Sequence, residues 1–241
     1  MQFDNSITFR LWGRYALFSD PITRVGGEKF SYSIPTYEAL KGVCDSIYWK
    51  PTFTWVVDRV RIMSPIRTES KGVRPIKYNT AGNELSYYTY LTDAQYQVQA
   101  HFEWNLKRED LAPDRNEHKH FWIAKRMLDR GGRRDIFLGT RECQGYVLPC
   151  TFGEDAGTYD TLDEMPFGLM LHGITYADEQ EKDIMRVGLW SPVMLRGIIN
   201  FIRPEECPVQ RTVRQQRPDL FLLNTSVQPV AALFEQEGGA S

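Results

Sequence analysis

Residues 115–122 read RNEHKHFW and hold two of the chain's four histidines, His118 and His120, on either side of Lys119. Histidine titrates near neutral pH, and lysine brings a compact charge that suits an anionic oxygen. The pair is equipped for metal-free acid–base chemistry beside a phosphate. Cutting an RNA strand that way takes a base for a ribose 2′-OH, a cation at the scissile phosphate and an acid for the leaving 5′-oxygen. The blander reading of a His-Lys-His run is a solvated helix start. Spacing alone leaves both open.

Other chemistries find less support. No glycine-rich phosphate loop is present, and Gly26–Gly27 and Gly131–Gly132 read as turn glycines. Acidic residues do not cluster with histidines as metal ligands would. Cys44, Cys143, Cys150 and Cys207 match no zinc spacing, and read as reduced, mostly buried thiols. A metal-dependent nuclease is disfavoured, and no cofactor is expected.

The net charge of −2 averages over opposed regions. Residues 59–78 hold Arg59, Arg61, Arg67, Lys71, Arg74 and Lys77 against Glu69 alone. Residues 115–141 hold eight lysines and arginines against Glu117, Asp129 and Asp135. Residues 151–190 reverse the balance, with nine acids facing Lys182 and Arg186. Clustered basic charge is the footprint of a phosphate-binding face, although two solvated faces would look the same.

The elements that must position these residues follow from periodicity. Residues 7–12 alternate as a first strand. From Pro35, taken as just inside a helix start, Tyr37, Leu40, Val43, Cys44 and Ile47 recur at helical spacing until Pro51 ends the run. Residues 52–63 have strand composition. Residues 87–106 read as a hairpin turning near Thr92–Asp93. Asn116 is placed to cap a second helix whose Phe121, Ala124, Met127 and Leu128 share a face. His120 sits at the edge of that face and His118 points away from it. Gly131–Gly132 ends the helix, and residues 133–150 return as strand.

This order predicts an α+β fold: a ferredoxin-like, RNA-recognition-motif-like domain over 1–150 with an inserted helix. A small antiparallel β-sheet domain follows over 151–210, built from strands within 167–176, 184–195 and 197–204. Residues 211–241 read as a flexible tail. With 42% hydrophobic and 25% charged residues, the chain reads as a soluble globular protein with no membrane span. The N-terminus lacks the layout of a signal peptide, so cytoplasmic residence is expected.

Five blocks carry a resemblance: LWGRYALFSDP, VGGEKFSYSIPTYEALKGVCDSIYWKP, ESKGVRPI, DRNEHKHF and GGRRDIFLGTRECQGYV. They resemble the CRISPR-associated Cas-five family, and most of all its d-type member from subtype I-C systems, over residues 7–210. The resemblance implies a metal-independent endoribonuclease that cuts repeat hairpins of precursor CRISPR RNA by 2′-OH attack. It implies that the protein then stays on the 5′ handle of the mature crRNA as a subunit of the type I-C surveillance complex. Contact with target duplex DNA stays open.

The family's catalytic tyrosine lies in IYWKP, which gives Tyr48, and its lysine–histidine pair in RNE-x-KH, which gives Lys119 and His120. His118 occupies the variable position. Arg115, Arg133, Arg134 and Arg141 would then hold the RNA backbone, together with Arg67, Lys71, Arg74 and Lys77 of the first basic region. The competing expectation is a non-catalytic scaffold that binds the 5′ handle. General RNA binding by a recognition-motif sheet ranks last, because the first strands lack that module's clear aromatic signature.

Overall fold

A computed structural model describes residues 3–76, 82, 85–177, 179 and 183–215. In chain order, β1 (Ile7–Ala16), β2 (Lys29–Phe30) and α1 (Tyr37–Ile47) come first. Next are β3 (Phe53–Ile62), β4 (Thr68–Val73), β5 (Ser86–Trp104), α2 (Glu117–Asp129), β6 (Ile136–Phe137) and β7 (Gln144–Pro149). The last third holds β8 (Glu164–Pro166), β9 (Met170–Thr175), β10 (Ile184–Trp190), β11 (Val193–Leu195), β12 (Ile198–Asn200) and β13 (Val209–Gln215).

Alternation decides which face of each strand is buried. In β1, Ile7, Phe9 and Leu11 turn inward while Arg10 and Arg14 stay exposed. The main sheet runs β6-β7-β1-β5-β3-β12-β11-β8, with β2 and β4 added to β5. Helices α1 and α2 lie on its inner face, α1 against β3 and α2 against β1 and β7. Phe9, Leu11, Trp55, Val98 and Phe102 fill the space between, each at most 2% exposed. Burying one such side chain stabilises the fold by roughly 1.5–3 kcal/mol. The fold is mixed, with mostly antiparallel strands and few helices.

Several expectations change here. Residues 86–104 form one strand, not a hairpin at Thr92–Asp93. Asp93 takes a positive φ of 50°, which makes a kink that a short polar residue tolerates. Both halves keep long partners across the kink: β1 pairs on either side of it, and β4 continues along residues 86–91. The helix starts at Tyr37 with Thr36 as its cap, so Pro35 stands outside it. Residues 133–150 form two short strands, β6 and β7, that pair with each other.

The later strands also sort differently. Within 197–204, β12 pairs with β3 and extends the main sheet instead of entering the small one. The small sheet is β13-β10-β9, so residues 211–215 of the expected tail form strand. The rest of that tail, from 216, lies outside the described residues. The small sheet docks on α1, where Tyr37 stacks on His172 at 4.4 Å and Glu38 accepts from the Ile174 amide at 3.1 Å. Among the described residues no helix is long and apolar enough to cross a membrane.

Candidate active site where the two helices meet

Two capping arrangements bring the residues together. Tyr48 ends α1 in extended conformation, its amide bonded to the Cys44 carbonyl at 2.9 Å. The next orphan carbonyls of that helix, Ser46 and Ile47, accept from the amides of Arg133 and Arg134 at 3.0–3.2 Å. The turn that ends α2, with Gly131 and Gly132 at positive φ, is thereby tied to the end of α1. At its other end α2 is capped by Asn116, whose side chain accepts from the Lys119 amide at 3.0 Å. That cap fixes the first turn, so His120 points inward while His118 and Lys119 face solvent.

His120 is fully buried, and Tyr48 is 2% exposed. The Tyr48 hydroxyl lies 2.9 Å from His120 Nδ1. His120 Nε2 lies 2.8 Å from the Asp114 carbonyl oxygen, which can only accept. The tautomer follows. Nε2 holds the proton and donates to Asp114, so Nδ1 accepts from the Tyr48 hydroxyl. Phe53, Trp104 and Phe102 surround the imidazole, with centroids 5.4, 5.8 and 6.4 Å away.

Asp114 joins the parts. Its carboxylate accepts from Lys119 Nζ at 2.5 Å and from Thr52 Oγ1 at 2.8 Å, and lies 3.4 Å from His120 Nε2. The bond from Lys119, then that from Thr52, holds its carboxyl below the usual carboxylate range. Burial is the main cause that pushes the Tyr48 phenol up; the Asp114 charge adds to it and the Arg133 charge opposes it. Asp114 and Thr52 escaped the sequence reading. The single sign of Asp114 was its place two residues before a helix cap.

The profile of the family described as CRISPR-associated protein (Cas_Cas5), Cas5d, matches residues 6–202. The chain belongs to the Cas5d family. It is 29% identical over 226 residues to the "CRISPR pre-crRNA endoribonuclease Cas5d" of Mannheimia succiniciproducens, covering 79% of this chain and 94% of the relative. It is 29% identical over 180 residues to the protein of the same name from Thermus thermophilus, covering 70% and 73%. A crystal structure of a CRISPR-associated protein superposes with a TM-score of 0.74 at 36% identity, over 86% of this chain and 96% of the other. The functionally uncharacterized protein SMU1763c from Streptococcus mutans gives a TM-score of 0.72 at 38% identity, over 86% and 97%.

In this Cas5d chain Tyr48, Lys119 and His120 converge, but only Lys119, its side chain 49% exposed, offers surface to a ligand. Arg133 and Arg134 are exposed beside Tyr48, and Arg141 is exposed in the turn between β6 and β7. Arg115 turns inward, its Nη2 donating to the Asn105 and Arg108 carbonyls at 3.0 and 3.1 Å. Arg67, Lys71 and Arg74 belong to β4 and its flanks, which pair with the opposite end of β5 from Trp104. Lys77 lies outside the described residues. Arg61 is buried in an ion pair with Asp160 and adds nothing to a basic face.

Proposed function

We propose that this chain is an endoribonuclease of precursor CRISPR RNA, as the names of its relatives suggest, and that it cuts the repeat hairpin without a metal, by 2′-OH attack. The observation that carries the reading is the path Tyr48–His120–Asp114. As the Tyr48 oxygen takes the 2′-OH proton, its own proton passes 2.9 Å to His120 Nδ1. The imidazolium so formed is stabilised at Nε2 by the Asp114 carbonyl and carboxylate. The 2′-oxygen attacks phosphorus as the bond to the 5′-oxygen breaks, the 5′-oxygen takes a proton from solvent water, and the imidazolium returns its extra proton to solvent by way of Tyr48, which leaves a 2′,3′-cyclic phosphate and a 5′-hydroxyl. Lys119 neutralises the phosphate once RNA draws it from Asp114.

The strand order β7-β1-β5-β3, with α1 and α2 in the crossovers, supports the ferredoxin-like reading of residues 1–150. We infer that the product stays bound by its 5′ handle within a type I-C surveillance complex. One observation favours the alternative of a non-catalytic scaffold: Tyr48 and His120 are both buried, so the pair would need uncovering before it could touch RNA.

The deciding experiment incubates the protein with its repeat RNA in excess EDTA. Cleavage to a cyclic phosphate, abolished by one 2′-deoxy nucleotide at the cut, is expected. Binding without cleavage would leave the scaffold, and a strict magnesium requirement would reject the mechanism.

A further inference from the structure

The outer face of the main sheet, turned away from α1 and α2, has a second feature. Residues directly opposite each other on antiparallel strands share a face. Arg10 is opposite Gln97 on β5 and Leu148 on β7, and Trp12 is opposite Gln95 and Tyr146. The segment after β7 covers the β3 and β5 part of this face. There Arg61 bonds Asp160 and the carbonyls of Glu154 and Asp155, and the Gln97 side chain bonds the Glu154 carbonyl and the Gly153 amide. The β1–β7 side is open, with Tyr146 54% and Leu148 49% exposed.

On that open side the Trp12 and Tyr146 rings lie 5.8 Å apart, inclined by 32°. The Arg10 guanidinium sits 5.9 Å from the Trp12 ring, held by the Gln95 amide oxygen. Arg14 is exposed one step along the same strand face. Next to Arg10 is a cavity of about 260 Å³, lined by Gln95, Gln97, Leu148, Glu154 and Asp155 among others. It falls below the ~300–1,000 Å³ of drug-sized sites and suits one flat ring system.

We propose that this face is a second RNA site, which takes unpaired nucleotides. It rests on the reading that the ligand is RNA. Trp12 and Tyr146 stack on bases, Arg10 and Arg14 meet phosphates, and the acidic wall of the cavity favours the bases with an exocyclic amine, adenine, cytosine and guanine, over uracil. A helical stem hides its base faces, so single-stranded RNA fits and the hairpin stem does not. Two arginines on the same strand face as the rings supply the cations that a phosphate backbone needs beside its stacked bases. The site is separate from the candidate active site. Trp104, beside His120, is nine residues along β5 from Gln95, roughly 30 Å at strand rise, and the imidazole is on the inner face.

The test measures anisotropy of labelled oligocytidylate, oligoadenylate and oligouridylate 12-mers on the full chain. Trp12→Ala and Tyr146→Ala should each weaken binding of the C and A oligomers roughly 5- to 100-fold, the range of a lost stacking contact. Trp12→Phe should restore most of it, and melting curves of these surface variants should match wild type. Cleavage of a hairpin without single-stranded flanks should be unchanged in all of them. Unaltered oligomer binding by both alanine variants, or none by a wild type that cuts the hairpin, would overturn this site and leave the nuclease intact. A wild type that neither binds nor cuts the hairpin would instead remove the nuclease reading.

Discussion

The Tyr48 hydroxyl donates across 2.9 Å to His120 Nδ1, and the Asp114 carbonyl fixes the tautomer that makes this possible. Neither nitrogen of His120 is free to meet a phosphodiester. Tyr48 is the member of the pair with an oxygen to offer, and His120 is its proton store.

Tyr48→Phe removes that oxygen and keeps the packing among Phe53 and Trp55. Single-turnover cleavage should slow roughly 10²–10⁴-fold, as for a lost proton-transfer group, with RNA affinity nearly unchanged. His120→Ala should slow cleavage at least as much and also cost stability, since it empties a fully buried site. His118→Ala, at an exposed position, should be nearly silent in cleavage. Wild-type rates in Tyr48→Phe would return that residue to a purely structural role.

Asp114→Asn keeps the shape and the backbone carbonyl but removes the charge facing Lys119 and His120. A charge-assisted hydrogen bond is worth about 1.5–3 kcal/mol, so cleavage should fall roughly 10- to 100-fold. Affinity should hold or rise, because Lys119 loses its competitor for phosphate. A variant that lost affinity and kept its rate would rule out this positioning role.

The arginines should divide into two kinds. Arg133→Ala and Arg134→Ala, at exposed positions, should each weaken RNA binding and flatten its salt dependence by about one unit of slope. Arg115→Ala should leave the salt slope alone and lower stability by ~1–3 kcal/mol, since it frees two carbonyls of the 105–108 loop. Salt titrations and denaturant melts of the three variants separate these outcomes.

Burial holds His172 down at about 4, against an ordinary value near 6.5. The unfolded chain takes up this proton first, so the stability linked to neutral His172 is full above about 6.5 and is lost as pH falls toward 4. Asp45, pushed up to about 6 by burial, works in the opposite direction, so the informative quantity is a difference between proteins. His172→Phe should be less stable than wild type at pH 7.5, having lost the bond to the Ile202 carbonyl. The gap should narrow between pH 6.5 and 4. A gap constant across that window would show that His172 does not titrate with folding.

Local signals were enough for much of this protein. The Asn116 cap, the glycine stop after α2, the helix before Pro51 and the inward face of β1 each depend on a few neighbouring residues, and all were legible. So were Tyr48, Lys119 and His120 as residues of interest, through the family resemblance. Three things required the folded chain. Residues 86–104 became one strand because β1, β3 and β4 supply pairing partners along its length, which outweighs a turn-like Thr-Asp. Asp114 became the hub of the site because a carbonyl and a carboxylate can serve two neighbours at once only when a tertiary bend aims them. Trp12 and Tyr146 met because β7 returns beside β1, 134 residues later in the chain than Trp12. Periodicity reports which face a side chain takes on its own strand. Which strand lies next to it is decided by long-range pairing, and local sequence carries no record of that choice.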